Sequence, residues 1–160
     1  MIAGGVGSAT LGLQSDEIWC ANVRRIRADT RIACQVLPTE VVRQFLKDME
    51  RLDYDAAVKF VAKKCEYTNP PPLGTVHGPA GIRAVLEPFF APTLENEFKI
   101  LRHASAGSIV LVERLDRHRL ADKWVELPVT GVFEVNDGLI TYWRDYFDMA
   151  TIMSQWPTSS

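Results

Sequence analysis

Apolar positions in the first half of the chain recur every three to four residues. From Pro38-Thr39-Glu40 onward, Val41, Phe45, Met49 and Leu52 fall on one stripe, with Val42 and Leu46 beside them. That spacing predicts an amphipathic helix. Thr39 stands where a side-chain cap is useful, and Glu40 suits the positive end of the helix dipole. Residues 55–62, with Ala57, Val58, Phe60 and Val61 apolar, predict a second helix, and residues 63–68 read as extended. Asn69-Pro70-Pro71-Pro72-Leu73-Gly74 fits neither a helix nor a central strand, because proline has no amide hydrogen to donate. Gly78-Pro79-Ala80 opens a third helix through Phe90, with proline in its first turn.

Beyond Thr93 the pattern shortens to strand alternation. Residues 98–103, 109–119, 124–135 and 139–147 read as four strands. Ala106-Gly107-Ser108 turns between the first two, and Asn136-Asp137-Gly138 is a strong hairpin signal between the last two. Residues 148–156 close as a short helix, for which Asp148 serves as cap. Helices first and long antiparallel strands later mean an α+β fold. A curved sheet with helices packed into its hollow would bury these elements and leave a pocket.

Composition narrows the class. The chain has 160 residues, 47% of them hydrophobic, enough for one domain with a real core. A net charge of −2 gives no bulk attraction to nucleic acid. No apolar run reaches the ~18–20 residues a bilayer span needs. Cys20, Cys34 and Cys65 are odd in number and scattered, and His77, His103 and His118 show no metal-ligand spacing. Reduced thiols, a cytoplasmic location and no metal site are therefore expected. The glycine-rich start reads as a loose terminus without a secretory signal. Residues 1–37, with Arg24-Arg25-Ile26-Arg27 and Arg31 but no clean apolar stripe, read as an extension before a domain at 38–160.

Candidate chemistry sits late in the chain. In a strand, residues two apart point the same way. Arg114 and Asp116 thus share a face, as do Trp143, Asp145 and Phe147, and also Tyr67 and Asn69 if that stretch is extended. Val110 and Val112 fall on the Arg114 side, and Ile109, Leu111 and Leu115 on the other. Both faces look buried. A carboxylate among the aromatics of Trp143-Arg144-Asp145-Tyr146-Phe147 needs a partner, and Arg114 on a neighbouring strand could supply one. An arginine between two acids stays charged and bonds both, so one acid tends to hold a proton at neutral pH. A structural ion pair that fixes strand register explains the same spacing.

Other positions have plainer readings. Trp143 walls the pocket or packs in the core. His118, at a strand end, reads as exposed; its alternative is to extend the polar column above Asp116. Cys65 could face the Tyr67 cavity, but nothing near it in sequence makes a catalytic thiol. Phe89, Phe90 and Phe133 read as core or as the wall of an apolar pocket.

Taken together, Tyr67-x-Asn69, Glu113-Arg114-x-Asp116, Gly131-Val132-Phe133 and Gly138-x-Ile140-Thr141-x-Trp143-Arg144-Asp145-Tyr146-Phe147-Asp148 resemble the limonene-1,2-epoxide hydrolases over roughly residues 38–155. The resemblance implies a cystatin-like fold of the nuclear-transport-factor-2 type, with a curved mixed six-stranded sheet, N-terminal helices on its concave face and a deep pocket. It implies a cofactor-free homodimer that opens a small apolar epoxide to a vicinal diol in one step. Asp145 would be the general base on water, Tyr67 and Asn69 would hold that water, Asp116 would be the general acid, and Arg114 would bridge the acids. The same fold hosts ketosteroid isomerases, polyketide cyclases and non-catalytic ligand-binding modules, which remain alternatives.

Overall fold

The computed structural model describes residues 37–157; the expected N-terminal extension lies almost wholly outside them. Two helices and a turn come first: α1 (Pro38–Glu50), the single turn α2 (Tyr54–Ala57), and a 3-10 turn at Val58–Phe60. Strands β1 (Val61–Thr68) and β2 (Thr75–His77) lead into α3 (Gly78–Phe90). Four long strands follow, β3 (Glu95–Ala106), β4 (Ile109–Arg119), β5 (Trp124–Asn136) and β6 (Leu139–Tyr146), before α4 (Met149–Met153).

The strands form one curved six-stranded sheet in the order β2-β1-β6-β5-β4-β3. Only β1 and β6 run parallel; every other pair is antiparallel, so the sheet is mixed. The β5–β6 hairpin turns at Asp137 and Gly138, both at positive φ (52° and 77°). This is the geometry a two-residue turn needs to match the strand twist.

Several local expectations shift. Helix α1 starts at Pro38 behind Leu37, without a side-chain cap; proline with its preset φ sets the start instead of Thr39. Leu52 does not extend the helical stripe. It lies just past the helix end at φ 59°, where the Asp53 amide reaches back to the Asp48 carbonyl. The second helix is one α-turn capped by Asp53 plus a 3-10 turn, and strand β1 already begins at Val61. Short apolar runs such as 57–61 do not distinguish helix from strand by periodicity. Strand β2 is too short and too exposed to show in the pattern.

Helix α1 packs across β3, β4 and β5, while α3 packs against β1 and β2. Under them lies the core, with Phe45 and Phe133 edge to face at 6.5 Å and Phe45 and Trp143 at 5.1 Å. The sheet has one covered face and one open face. On β4, Val110, Val112, Arg114, Asp116 and His118 point inward and are buried, while Ile109 and Leu111 are 46% and 44% exposed. The expectation that both faces of this strand are buried is therefore corrected: an antiparallel sheet covered on one side leaves alternate residues to the other.

Candidate active site

The inward face of β4 carries Arg114 and Asp116, two residues apart. Asp145 lies on β6. These strands are not neighbours, as the sequence led one to expect, because β5 runs between them. The guanidinium must therefore cross over β5, and it does so at Gly131, which pairs with Val112 on one side and with Asp145 on the other. A Cβ at Gly131 would stand 2.7 Å from Arg114 Nη1 and 3.0 Å from Asp145 Oδ1. Glycine inside a strand marks close approach by another group. That signal was present in the sequence, though its role was not.

Arg114 holds the two acids differently. Its Nε–H points at Asp116, 2.8 Å from Oδ1 and 3.1 Å from Oδ2. Its Nη1 and Nη2 bond Asp145 in a fork, at 3.1 Å to Oδ1 and 2.8 Å to Oδ2. The Trp143 indole N–H adds a third bond to Asp145 Oδ1 at 2.8 Å. Three N–H groups converge on Asp145, whereas Asp116 has one N–H shared between its oxygens. All three members of the cluster are buried. Burial and the nearby Asp145 push the Asp116 carboxyl up to about 6 against the pull of Arg114. Burial works against the charge of Arg114 too, but the two carboxylates outweigh it and the guanidinium stays protonated.

Tyr67 and Asn69 meet as the strand spacing predicts. The Tyr67 hydroxyl donates to Asn69 Oδ1 at 2.8 Å. The Tyr67 ring stacks on Trp143, its neighbour across the parallel β1–β6 pair, with centroids 3.8 Å apart. Burial, then the charge of Asp145, raises the Tyr67 pKa well above that of an ordinary phenol, so the hydroxyl keeps its proton.

Tyr67, Asn69, Arg114, Asp116, Trp143 and Asp145 all line one cavity of about 250 Å³. Its remaining wall is mainly apolar and includes Leu46, Met49, Phe89, Phe90 and Phe98. The volume falls just below the ~300–1,000 Å³ of common ligand pockets, which points to a compact ligand. Phe89 and Phe90 belong to this wall, and Phe133 belongs to the core. Trp143 does both jobs left open for it, walling the cavity and packing on Phe45 and Phe133. Cys65 is buried but does not line the cavity, and burial pushes its thiol up to about 11, away from a reactive thiolate. Asp148 caps α4, accepting from the amides of Ala150 and Thr151. The exposed reading of His118 is corrected. The residue is 2% exposed, because α3 and the C-terminal segment close over that end of β4.

Residues 36–158 match the limonene-1,2-epoxide hydrolase catalytic domain. The chain belongs to that family. Epoxide hydrolase EphG of Mycobacterium tuberculosis (strain ATCC 25618 / H37Rv) is 51% identical over 53 residues, which cover 33% of this chain and 36% of that protein. The match thus spans about a third of that relative's length. A solved M. tuberculosis LEH-like epoxide hydrolase superposes with a TM-score of 0.64 at 31% identity, over 73% of this chain and 86% of that one. A Shewanella denitrificans OS-217 protein assigned to the SnoaL-like polyketide cyclases gives a TM-score of 0.65 at 17% identity, over 74% and 95% of the two chains. A Catenulispora acidiphila DSM 44928 protein with a ketosteroid isomerase-like fold gives 0.65 at 18%, over 72% and 91%. The last two are likenesses of fold alone, and they agree with the α+β, nuclear-transport-factor-2-like architecture.

Proposed function

We propose that the protein hydrolyses a small, apolar epoxide, cyclic or terpenoid in type, to a vicinal diol by direct attack of water and without a cofactor. The observation that carries this is the unequal grip of Arg114 on its two acids at the end of an apolar cavity. Asp145, held by three N–H groups, is the general base. Asp116, whose proton is retained to about 6, is the general acid. Each role is typically worth on the order of 10²- to 10⁴-fold in rate.

Tyr67 and Asn69 position the water in this scheme. A water has two hydrogens and two lone pairs. The Tyr67 proton is already engaged by Asn69 Oδ1. The phenol oxygen and Asp145 therefore take the two water hydrogens, and an Asn69 Nδ2–H fills one lone pair. The remaining lone pair attacks an oxirane carbon. As that C–O bond forms, Asp145 takes a water proton, the bond from the same carbon to the oxirane oxygen breaks on the side away from the water, and Asp116 protonates the departing oxygen. One proton then returns from Asp145 to Asp116 through solvent before the next turnover.

A single turnover in oxygen-18 water is expected to label the diol at once. Label entering only from the second turnover would put a carboxylate ester on the path and overturn direct attack. Asp116→Asn and Asp145→Asn are each expected to lower kcat/KM by at least about 10²-fold, with melting temperatures close to that of the parent. Loss of fold in both variants would instead fit a structural ion cluster in a ligand-binding module. Turnover of a β,γ-unsaturated ketone but no epoxide would favour the isomerase-type alternative.

The outer face of the sheet supports a homodimer, since Ile109, Leu111 and Tyr146 stand 46%, 44% and 50% exposed there. Sedimentation of the full chain tests this. Residues 38–160 act as the hydrolase unit in this reading, with 1–37 an extension to it. No described helix is long and apolar enough to cross a membrane; we place the enzyme in the cytoplasm, which cell fractionation would check.

A further inference from the structure

A second polar group opens on the cavity, and the hydrolysis proposed above gives it no part. His118 follows Asp116 by two residues on β4, so both project from the same face. Its ring is boxed by Phe89, Phe90, Phe98 and Trp156, with centroids 5.3–6.2 Å away. Yet His118 lines the cavity.

The hydrogen-bonding sense of this ring is fixed by a one-way chain. The carbonyl of Phe90 can only accept, so the Thr93 hydroxyl donates to it, at 2.7 Å. Thr93 Oγ1 is then the acceptor for Asn96 Nδ2 at 3.3 Å. With its nitrogen turned to Thr93, Asn96 presents Oδ1 to His118 Nδ1 at 2.7 Å, so Nδ1 carries the hydrogen. The other nitrogen of the neutral ring, Nε2, is left as a bare acceptor. Nε2 has no partner among the described residues, and none of their buried side-chain nitrogens or oxygens is unpaired. Nε2 therefore is not sealed off, and the residue that carries it lines the cavity. Burial, then the charge of Arg114, pushes the His118 pKa down to about 4, so the ring stays neutral at ordinary pH.

We infer that His118 Nε2 is a subsite for a hydrogen-bond donor on the substrate, so that the preferred epoxide carries a hydroxyl or N–H group apart from its oxirane ring. The inference rests on the epoxide-hydrolysis reading for its substrate. Two residues along a strand span about 7 Å, which sets the separation between that donor and the oxirane oxygen held by Asp116. A purely hydrocarbon epoxide would strip water from Nε2 and give nothing back, and sites built to hydrogen-bond a substrate reject analogues that lack the group.

Two measurements test this. The first compares kcat/KM for methylcyclohexene oxide and for its ring-distal hydroxymethyl derivative. The parent protein is expected to favour the alcohol by about tenfold or more, and His118→Leu to erase that preference while still turning over the hydrocarbon epoxide. Equal kcat/KM for the two probes in the parent, or an equal loss on both in the variant, overturns the subsite. The second needs neither turnover nor a folded variant. Nitrogen-15 NMR of the His118 imidazole is followed while (methylcyclohexyl)methanol or dimethylcyclohexane is added. The alcohol alone is expected to move the Nε2 resonance upfield; no movement, or the same movement with both, overturns the inference. If neither epoxide is hydrolysed but the alcohol still moves Nε2, the subsite stands and the hydrolytic reading fails.

Discussion

Gly131 and Asp145 sit directly opposite each other on β5 and β6, and the missing side chain of one is the space through which the other is reached. Arg114 comes from the far side of β5 and passes over this glycine to form its fork with Asp145. A methyl group there would meet Arg114 Nη1 and Phe133 Cε2, each at 2.7 Å. Neither can move freely, since one is tied to two acids and the other is packed in the core. Gly131→Ala is therefore expected to cost about 1–3 kcal/mol through overpacking and to reduce kcat/KM by at least about 10²-fold. Urea unfolding and steady-state kinetics on the same sample would check both. Parent-like turnover would show that the bridge over β5 is dispensable.

Removing the bridge itself has a pH signature. Arg114→Met leaves Asp116 and Asp145 buried with no cation between them, and breaking a buried pair in this way costs about 3–5 kcal/mol. Without Arg114, nothing offsets the burial and the neighbouring carboxylate that already raise the Asp116 carboxyl on folding. The variant should then be most stable in acid and lose stability as pH rises. Chemical denaturation from pH 4 to 8 is expected to show the deficit growing with pH. A deficit independent of pH would contradict the charge-bridging role.

The retained proton of Asp116 predicts the shape of the rate profile. If this group is the acid, kcat/KM should fall above about 6, where the free enzyme loses that proton. The limb should approach tenfold per pH unit. Rates rising through the same range would exclude Asp116 as the proton donor.

Asp116 and His118 also oppose each other in the pH dependence of stability. The carboxyl is raised from 3.8 to about 6 on folding, so its contribution is fully present below 3.8 and lost as pH rises through about 6. The imidazole is lowered from 6.5 to about 4, so its contribution is present above 6.5 and lost as pH falls through about 4. Between about 4 and 6 the two slopes partly cancel in the parent. His118→Leu is expected to leave stability falling with pH in that window, and Asp116→Asn to leave it rising. Unfolding midpoints at half-unit pH steps would decide, and parallel curves for both variants would refute the assignment.

Much of the scaffold could be read from local pattern. Helix α3 falls on the residues its Gly78-Pro79-Ala80 start marked, strand β4 on those its extended pattern marked, and the Asp137-Gly138 turn needed only its two neighbouring residues. Where the local signal was ambiguous, tertiary contacts decided. Residues 58–60 tightened into a 3-10 turn, and residues 61–62 left the helix for strand β1, which pairs in parallel with β6. The open face of β4 could not be foreseen, because its valine, leucine and isoleucine residues look alike on either side of the sheet.

For the candidate site, sequence alone put Arg114 with Asp116, Trp143 with Asp145, and Tyr67 with Asn69, because a strand returns to the same face every second residue. Strand order lies outside the reach of that rule, for it depends on which distant segments pair. Only the folded sheet put β5 between the acids, made Gly131 the crossing point, gave Asp145 three donors to the one held by Asp116, and buried His118 in the wall of the same cavity. Those relations depend on groups far apart in the chain coming within about 3 Å, a scale that residue order does not encode.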